Sequence, residues 1–300
     1  MRGSKEKDIT QKALEMYNDV FADIINVLLF NGENVVTEDS LTDVLQESIL
    51  KIDGGIRAQY RDIAKYWYNS KIKLSMFGLE NQTKPEKRMP LRVFGYDGTE
   101  YVKQAKKENN KEVLYPVITL VLYFGYNSRW NQPKSLFELL EIDERIKPYV
   151  NDFKINLFEI AYLDREKIDM FKSDFWILAD YLYQMRVNKD YVAGDTVIEH
   201  VDELLMLMSA MTKDYRFEET INEVKGKEHV TMCEVLDRVE ARGMEKGMEK
   251  GIAKGREEGI KEGTVQVLIS LVKDGILSIS DAAKRADMSE ESFRRYLEQC

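Results

Sequence analysis

The chain has 300 residues, 44% of them hydrophobic, so it can bury at least one large core and is not expected to be disordered. Its formal net charge is −9, from 53 acidic and 44 basic residues, which gives no overall attraction for nucleic acid. With two cysteines and two histidines, neither a disulfide framework nor a structural zinc site is expected, and any bound metal should be a hard ion such as Mg²⁺ or Mn²⁺ held by oxygen ligands.

The sequence shows no segment suited to directing the chain into or across a membrane. The N-terminal stretch MRGSKEKDITQKALEMY is charged and polar and lacks the apolar core of a secretory signal. The strongest apolar run, residues 117–126, is too short to span a bilayer. We therefore expect a cytoplasmic protein with no membrane partner.

The first elements are read from hydrophobic spacing. Residues 12–30 carry apolar side chains at helical intervals, and Asn31-Gly32 should end that helix. Residues 41–50 could form another short helix. The first predicted strand is 71–79, which is apolar on both faces toward its end, as expected of a central strand.

Helices and strands then alternate. Residues 91–107 fit a helix, although Gly95 and Gly98 weaken it. Two β-rich apolar runs follow at 115–126 and 156–163, and two further helices are predicted at 173–186 and 198–211. Strands separated by helices predict an α/β core with a mixed central sheet flanked by helices.

A glycine repeat begins near residue 241. Glycine recurs every fourth residue, at positions 243, 247, 251, 255, 259 and 263. On a helix this spacing forms a stripe where another backbone could approach closely, which favours pairing in a homo-oligomer such as a dimer. Glycine also costs about 1 kcal/mol in a helix interior, so a partly ordered charged spacer is the alternative.

The C-terminal tail, residues 264–300, resembles three short helices. Gly275 can end the first, Ser280 can cap the second and Ser289 the third. The short turn at 287–289 gives a possible helix-turn-helix with Arg294 and Arg295 on its second helix. The tail could therefore read DNA, or it could be a small packing or oligomerisation module.

Two polar side chains close the predicted strand at 71–79. Glu80 and Gln82 are two residues apart, so they share one face of the strand, and Asp62 comes from the preceding element. Two carboxylates at the edge of a sheet could hold a hard divalent cation and so support phosphodiester hydrolysis. The alternative is a solvated strand end, with Asp62 paired to Arg61 or Lys65.

The same region is locally basic. Residues 61–92 hold eight basic and three acidic side chains, a balance of +5 against the acidic whole. An anionic nucleic-acid backbone would need such neighbours, although runs of charge are usually only solvated faces. Lys84, Lys87 and Arg88 are the candidate DNA contacts.

Three segments together carry a family resemblance. RDIAKYW, LSMFGLENQTKPEKRMPLRVFGYDG and VLYPVITLVLYFGY resemble the PD-(D/E)XK nuclease-family transposases of the Rpn, or recombination-promoting nuclease, group, which are YhgA-like. The resemblance covers residues 10–240 and implies a magnesium-dependent DNA endonuclease with a restriction-endonuclease-like core. It would be followed by a glycine-repeat helical linker or oligomerisation segment, 241–263, and the helical tail, 264–300.

The resemblance also implies roles for particular residues. Asp62 and Glu80 would be the catalytic acids that bind Mg²⁺, or Mn²⁺. Gln82 stands where lysine is usual, and as a neutral amide it can orient water or phosphate but cannot accept a proton. An acid of the first helix would complete the metal site, with Asp19 the candidate and Asp23 the alternative one turn later.

Three functions follow from these patterns. The first is a metal-dependent DNA endonuclease of the transposase-like, recombination-promoting type. The second is a catalytically silent nuclease-like fold that binds DNA or assembles proteins. The third is a sequence-reading tail, which predicts that residues 264–300 alone bind a defined duplex.

Overall fold

The computed structural model describes residues 14–44, 48–52, 55–59, 62–70, 72–106, 114–212 and 214–299. The start of the helix predicted at 12–30, and Arg61 and Lys71 of the basic segment, lie outside these residues. The chain divides into two compact units, residues 1–237 and 238–300. Each unit is described by itself.

The first unit is built on a mixed sheet. In chain order the described strands are Leu41–Asp43 (β1), Ser48–Ile52 (β2), Gly55–Gln59 (β3), Ile63–Asn69 (β4), Ile72–Gln82 (β5), Val117–Tyr123 (β6) and Asn156–Glu159 (β7). Among the described residues, five strands form the sheet in the order β1-β4-β5-β6-β7, while β2 and β3 pair as a separate antiparallel hairpin. The predicted α/β fold with a mixed central sheet is confirmed.

Strand β5 occupies the centre of this sheet. It pairs antiparallel with β4 and parallel with β6, and β6 pairs parallel with β7. Met76, Phe77 and Leu79 are buried, as the apolar run predicted. The strand continues through Glu80 and Gln82, so these polar residues belong to the hydrogen-bonded ladder itself.

Two helices flank strands β1 to β5 in the sequence. Helix α1, Asn18–Phe30, buries the predicted apolar face and ends at Asn31, which adopts the left-handed conformation. Helix α2, Met89–Lys106, forms despite its two glycines because its buried face is fixed by polar contacts. Thr119 donates to the Asp97 carboxylate at 2.7 Å, and the Tyr115 hydroxyl donates to Glu100 at 2.8 Å.

The helix suggested for residues 41–50 is wrong. Leu41–Asp43 is an edge strand paired antiparallel with β4, and Ser48 already begins β2. The Lys65 ammonium on β4 reaches the Asp43 carboxylate at 2.6 Å. Pairing with a strand distant in sequence thus overrides the local helical spacing.

Helices complete the first unit after β7. They are Arg165–Ile168 (α3), Phe175–Val187 (α4), Val201–Thr212 (α5) and Arg216–Val224 (α6). α4 and α5 confirm the helices predicted at 173–186 and 198–211. In the described parts of the chain, no helix is both long and apolar enough to cross a membrane.

The glycine repeat lies within one continuous helix. Helix α7, Met232–Lys273, runs through the whole repeat and is followed by Ile279–Arg285 (α8) and Glu290–Gln299 (α9). Val265, Leu268, Ile269 and Phe293 belong to a small apolar core in the second unit. The predicted helical C-terminal region is confirmed.

Of the two predicted N-caps in the tail, one is confirmed and the other is wrong. Ser289 accepts from the Ser292 amide at 3.2 Å, as predicted for the start of α9. Ser280 does not cap α8: that residue is Ser278, whose hydroxyl accepts from the Asp281 amide at 3.1 Å. The helix begins two residues earlier because Ser278 has the extended backbone that a cap requires.

Candidate active site

Asp62, directly before β4, and Glu80, near the end of β5, lie at the same end of these two strands. Ile63 pairs with Leu79, so continuing that register by one residue sets Asp62 opposite Glu80. The Asp62 carboxylate also accepts from the backbone N–H of Asn81 at 2.8 Å. Directly opposed residues on antiparallel strands have Cβ atoms about 4.5–5.5 Å apart on the same face. The register therefore favours two carboxylates close enough to act together.

Glu80 is a fully buried acid whose charge is compensated. Its side chain is 0% exposed, and its Oε1 accepts from the guanidinium of Arg92 on α2. The second guanidinium nitrogen of Arg92 bonds Glu86 at 2.6 Å. Burial alone would lower the pKa of Arg92, but the charge of Glu80 and the interactions with Tyr96 and Glu86 together outweigh burial, so the pKa is raised. Arg92 thus supplies positive charge beside Glu80.

Tyr96 lies one helical turn beyond Arg92. Its hydroxyl accepts from Arg92 at 3.2 Å, and its side chain is buried. Burial raises the pKa of Tyr96, and the negative charges of Glu80 and Asp62 raise it further, against the lowering effect of Arg92. Both carboxylates are therefore within electrostatic reach of the same hydroxyl, which stays protonated at neutral pH.

Gln82 lies beside Glu80, as the two-residue spacing predicts. Its amide nitrogen is 3.4 Å from Oε1 of Glu80, a long hydrogen bond. The side chain is partly exposed, in contrast to Glu80. Gln82 therefore stands at the boundary between the buried acid and solvent, where an amide can orient water or a phosphate oxygen.

The opposite face of β5 meets another acid. Asn81 alternates with Glu80 along the strand, and its amide donates to the Glu15 carboxylate at 2.6 Å. Both side chains are less than one-tenth exposed. Glu15, which precedes α1, is thus an N-terminal acid bonded to the end of β5.

The two acids of α1 proposed from the sequence bind elsewhere. Oδ2 of Asp19 lies 3.0 Å from Nε2 of His200. Asp23 accepts from the backbone amides of Lys172 and Ser173, each at 2.8 Å. The structure brings Asp62, Glu80 and Gln82 together but gives Asp19 and Asp23 other hydrogen-bond partners.

The basic segment separates into buried and exposed cations. Lys65 is 1% exposed and bonds the backbone oxygen of Met16 at 2.7 Å, and Lys73 lies 3.4 Å from the centre of the Tyr66 ring. These two lysines stabilise the fold. Among the cations of this segment that the structure describes, the exposed ones are the three in the turn between β5 and α2, namely Lys84, Lys87 and Arg88.

The sequence did not predict that Arg92 and Tyr96 would lie beside the candidate site residues Asp62, Glu80 and Gln82. Arg92 and Tyr96 are four positions apart on a predicted helix, so a shared face was foreseeable. Nothing in that spacing shows that this face meets Glu80, because the contact depends on how α2 packs on the sheet. The one sequence feature that could have pointed to Arg92 and Tyr96 is that their helix directly follows the strand that carries Glu80.

The donor set suits a hard divalent cation. Asp62 and Glu80 offer carboxylate oxygens, the ligands that Mg²⁺ prefers. Arg92 already provides positive charge at Glu80, so the environment is built to neutralise a buried carboxylate. On this chemistry the residues fit the predicted magnesium site.

Comparison with known protein families shows which family the chain resembles. Residues 42–216 match the family model described as "Putative transposase, YhgA-like", which is more than half of the chain. The matched region contains Asp62, Glu80, Gln82 and Arg92, and it ends before the glycine repeat. No curated protein and no solved structure matches the chain significantly.

Proposed function

Because the chain belongs to the YhgA-like transposase family, we propose that it is a magnesium-dependent DNA endonuclease that hydrolyses phosphodiester bonds in recombination-promoting, transposase-like reactions. The observation that carries the proposal is the strand register that sets Asp62 opposite Glu80, together with the Arg92 guanidinium that donates to Glu80. A buried acid beside a second acid is the arrangement that metal-assisted hydrolysis requires.

We assign a chemical role to each polar residue of the candidate active site. Asp62 and Glu80 hold Mg²⁺, with Mn²⁺ as a substitute, and the backbone N–H of Asn81 fixes the orientation of Asp62. When bound, the ion polarises the phosphodiester and lowers the pKa of the attacking water. Gln82 orients that water or the phosphate by hydrogen bonding and takes no proton itself.

The neighbouring cations bind the substrate. Arg92 is placed to donate to a phosphate oxygen once the ion shares the charge of Glu80. Lys84, Lys87 and Arg88 are exposed on the adjoining turn and contact the DNA backbone. These contacts would confer affinity without reading the base sequence.

Two observations favour a second function. Arg92 is bonded to Glu80 and Glu86 together, and Gln82 replaces the usual lysine. If this ion pair is permanent, the fold binds DNA or assembles proteins without cleaving DNA.

Plasmid cleavage by the purified full chain distinguishes the two functions. We expect nicking or linearisation that depends on added Mg²⁺, and a loss of about 100-fold or more in Asp62→Asn and in Glu80→Gln, since each removes a metal ligand. Asp143→Asn is the matched control, because it removes one carboxylate charge from an exposed loop. Cleavage that is absent in the wild type, or that survives both changes, rejects the endonuclease.

A further inference from the structure

A second group of metal-binding side chains lies apart from the Asp62–Glu80 pair. Asp19 from the first turn of α1 meets Glu199 and His200, which precede α5. One ligand atom from each of these three residues lies within 4.8 Å of those of the others. Among the described residues, it is the group of three or more His, Cys, Asp or Glu side chains whose ligand atoms lie this close to one another.

The spacing within the group suits a shared ion. Nε2 of His200 is 3.0 Å from Oδ2 and 3.3 Å from Oδ1 of Asp19. Two ligand atoms about 2.1 Å from a tetrahedral metal are about 3.4 Å apart. An ion could therefore enter between the imidazole and the carboxylate after shifts of a few tenths of an ångström.

The histidine is held in place by its surroundings. The buried Asp174 carboxylate accepts from the backbone amides of Glu199, at 3.1 Å, and His200, at 2.6 Å. The Tyr17 ring stacks on the imidazole with centroids 3.7 Å apart, and the Tyr17 hydroxyl donates to Glu203 at 2.9 Å. Both the backbone and the ring of His200 are thus fixed before any ligand binds, which lowers the entropic cost of binding.

The group also has access to solvent. Asp19 and Glu199 line a cleft of about 530 Å³ between α1 and the segments around residues 32–39 and 170–173. Three protein ligands leave at least one coordination position for water, and the cleft gives that water room. A simple Asp19–His200 ion pair would require neither the third ligand nor this opening.

We propose that Asp19, Glu199 and His200 form a binding site for a divalent first-row transition metal, separate from the magnesium site. One imidazole nitrogen with two carboxylates favours Zn²⁺ or Mn²⁺ over Mg²⁺, because imidazole is a good ligand for transition metals and a poor one for magnesium. The ion would join α1 to the start of α5 across 180 residues of sequence. The proposal does not depend on nuclease activity.

Zn²⁺ titration of the full chain by calorimetry tests this site. With excess Mg²⁺ present to occupy the Asp62–Glu80 site, we expect one Zn²⁺ to bind the wild type with an affinity that falls at least 10-fold in Asp19→Asn, Glu199→Gln and His200→Gln. His229→Gln is the matched control, since it removes the other histidine and should leave this binding unchanged. Tyr17→Leu removes the stacking contact and should weaken binding less than His200→Gln does.

The same titration separates this proposal from the nuclease. The double variant Asp62→Asn/Glu80→Gln should retain the Zn²⁺ site even though it is expected to lose cleavage. Co²⁺ provides a second readout, because its visible absorption should change on binding to wild type and not to His200→Gln. Equal Zn²⁺ affinity and stoichiometry in wild type and His200→Gln, with circular dichroism showing both folded, would overturn the proposal.

Discussion

Glu80 is a fully buried carboxylate that depends on Arg92 for its charge balance. Leaving a buried acid without its cation is costly, because the charge has neither water nor a partner. Arg92 is one-third exposed, which lets water screen the pair and lowers that cost. Arg92 and a divalent ion would therefore compete for Glu80, and the effect of Mg²⁺ on the free energy of unfolding measures that competition.

Replacing Arg92 with alanine should destabilise the first unit by about 2 kcal/mol, at the lower end for a broken buried pair because of this exposure. Added Mg²⁺ should restore more stability to the variant than to the wild type, because the ion then neutralises Glu80 alone. Urea unfolding with and without Mg²⁺ measures both effects. Arg129→Ala, which breaks a more exposed pair with Glu159, is the control and should show no such Mg²⁺ dependence.

Contacts between residues close in sequence could be predicted, whereas contacts between distant residues could not. The proximity of Glu80 and Gln82 followed from strand alternation alone. The partnership of Asp19 with His200 could not be predicted, because it joins residues 181 positions apart, one on α1 and the other just before α5. Arg92 and Tyr96 fall between these cases: their common helical face was predictable, but its target was not.

At the scale of elements, the glycine repeat leaves helix α7 with an exposed apolar row. Met244, Met248, Ile252 and Ile260 are each at least 60% exposed on the same helix as the glycines. A Cβ added at Gly247, Gly251 or Gly255 would meet no atom within 4 Å in the protomer. The glycines are therefore not required by packing within the described chain.

The triple change Gly247→Ala/Gly251→Ala/Gly255→Ala discriminates between a spacer and a dimer contact. Each alanine should stabilise the helix by about 0.5–1 kcal/mol, which thermal melting would detect. If the glycine stripe lies in a homodimer interface, the same methyl groups should weaken dimerisation in sedimentation equilibrium. Lys246→Ala/Lys250→Ala/Lys254→Ala is the control, and an unchanged dimerisation constant in the glycine variant would support the spacer.

The turn between β5 and α2 should supply the phosphate contacts. In a Glu80→Gln background that prevents cleavage, changing Lys84, Lys87 and Arg88 to alanine should weaken duplex binding regardless of sequence. The slope of log K against log salt should fall by up to about 2.7, for three lost phosphate contacts. Fluorescence anisotropy at several salt concentrations measures this slope.

The tail helix provides the control for that experiment. Arg295 of α9 is paired with Glu291 at 2.8 Å, and three glutamates outnumber two arginines on this helix. Arg294→Ala/Arg295→Ala should leave binding and salt slope unchanged. A larger loss in this variant than in the turn variant would assign DNA recognition to the tail.

Helices and strands could be predicted where the spacing of apolar residues in the sequence matches the face that the fold buries. β5 and α1 have apolar patterns that match their buried faces, and both were predicted. Residues 41–50 were mistaken for a helix because β1 is only three residues long and is defined by its pairing with β4. Short edge strands carry too little local pattern to be recognised before their partners are known.

At the scale of the whole molecule, buried tyrosines set a limit on alkaline stability. Burial raises the pKa of Tyr181 from 10.0 to about 12, and it also raises the pKa values of Tyr66, Tyr96, Tyr115 and Tyr191. A raised pKa means that the folded state holds the proton more tightly than the unfolded state. The resulting stability is fully present below pH 10 and is lost as the pH rises toward 12.

Tyr181→Phe tests this alkaline dependence. Phenylalanine cannot ionise, so the variant should lose about 2–3 kcal/mol less than the wild type between pH about 10 and pH about 12. Urea unfolding at several pH values measures the difference. Identical pH profiles for the two proteins would contradict the assigned burial of Tyr181.

We propose above all that Asp62 and Glu80 share one divalent cation, with the exposed Lys84, Lys87 and Arg88 on the turn that follows β5. Anomalous diffraction from a crystal soaked in Mn²⁺ tests it most directly. We predict an ion about 2.0–2.2 Å from an oxygen of each carboxylate, with Arg92 moved off Oε1 of Glu80. A crystal saturated with Mn²⁺ in which no ion lies between Asp62 and Glu80, and Arg92 remains bonded to Glu80, would contradict it.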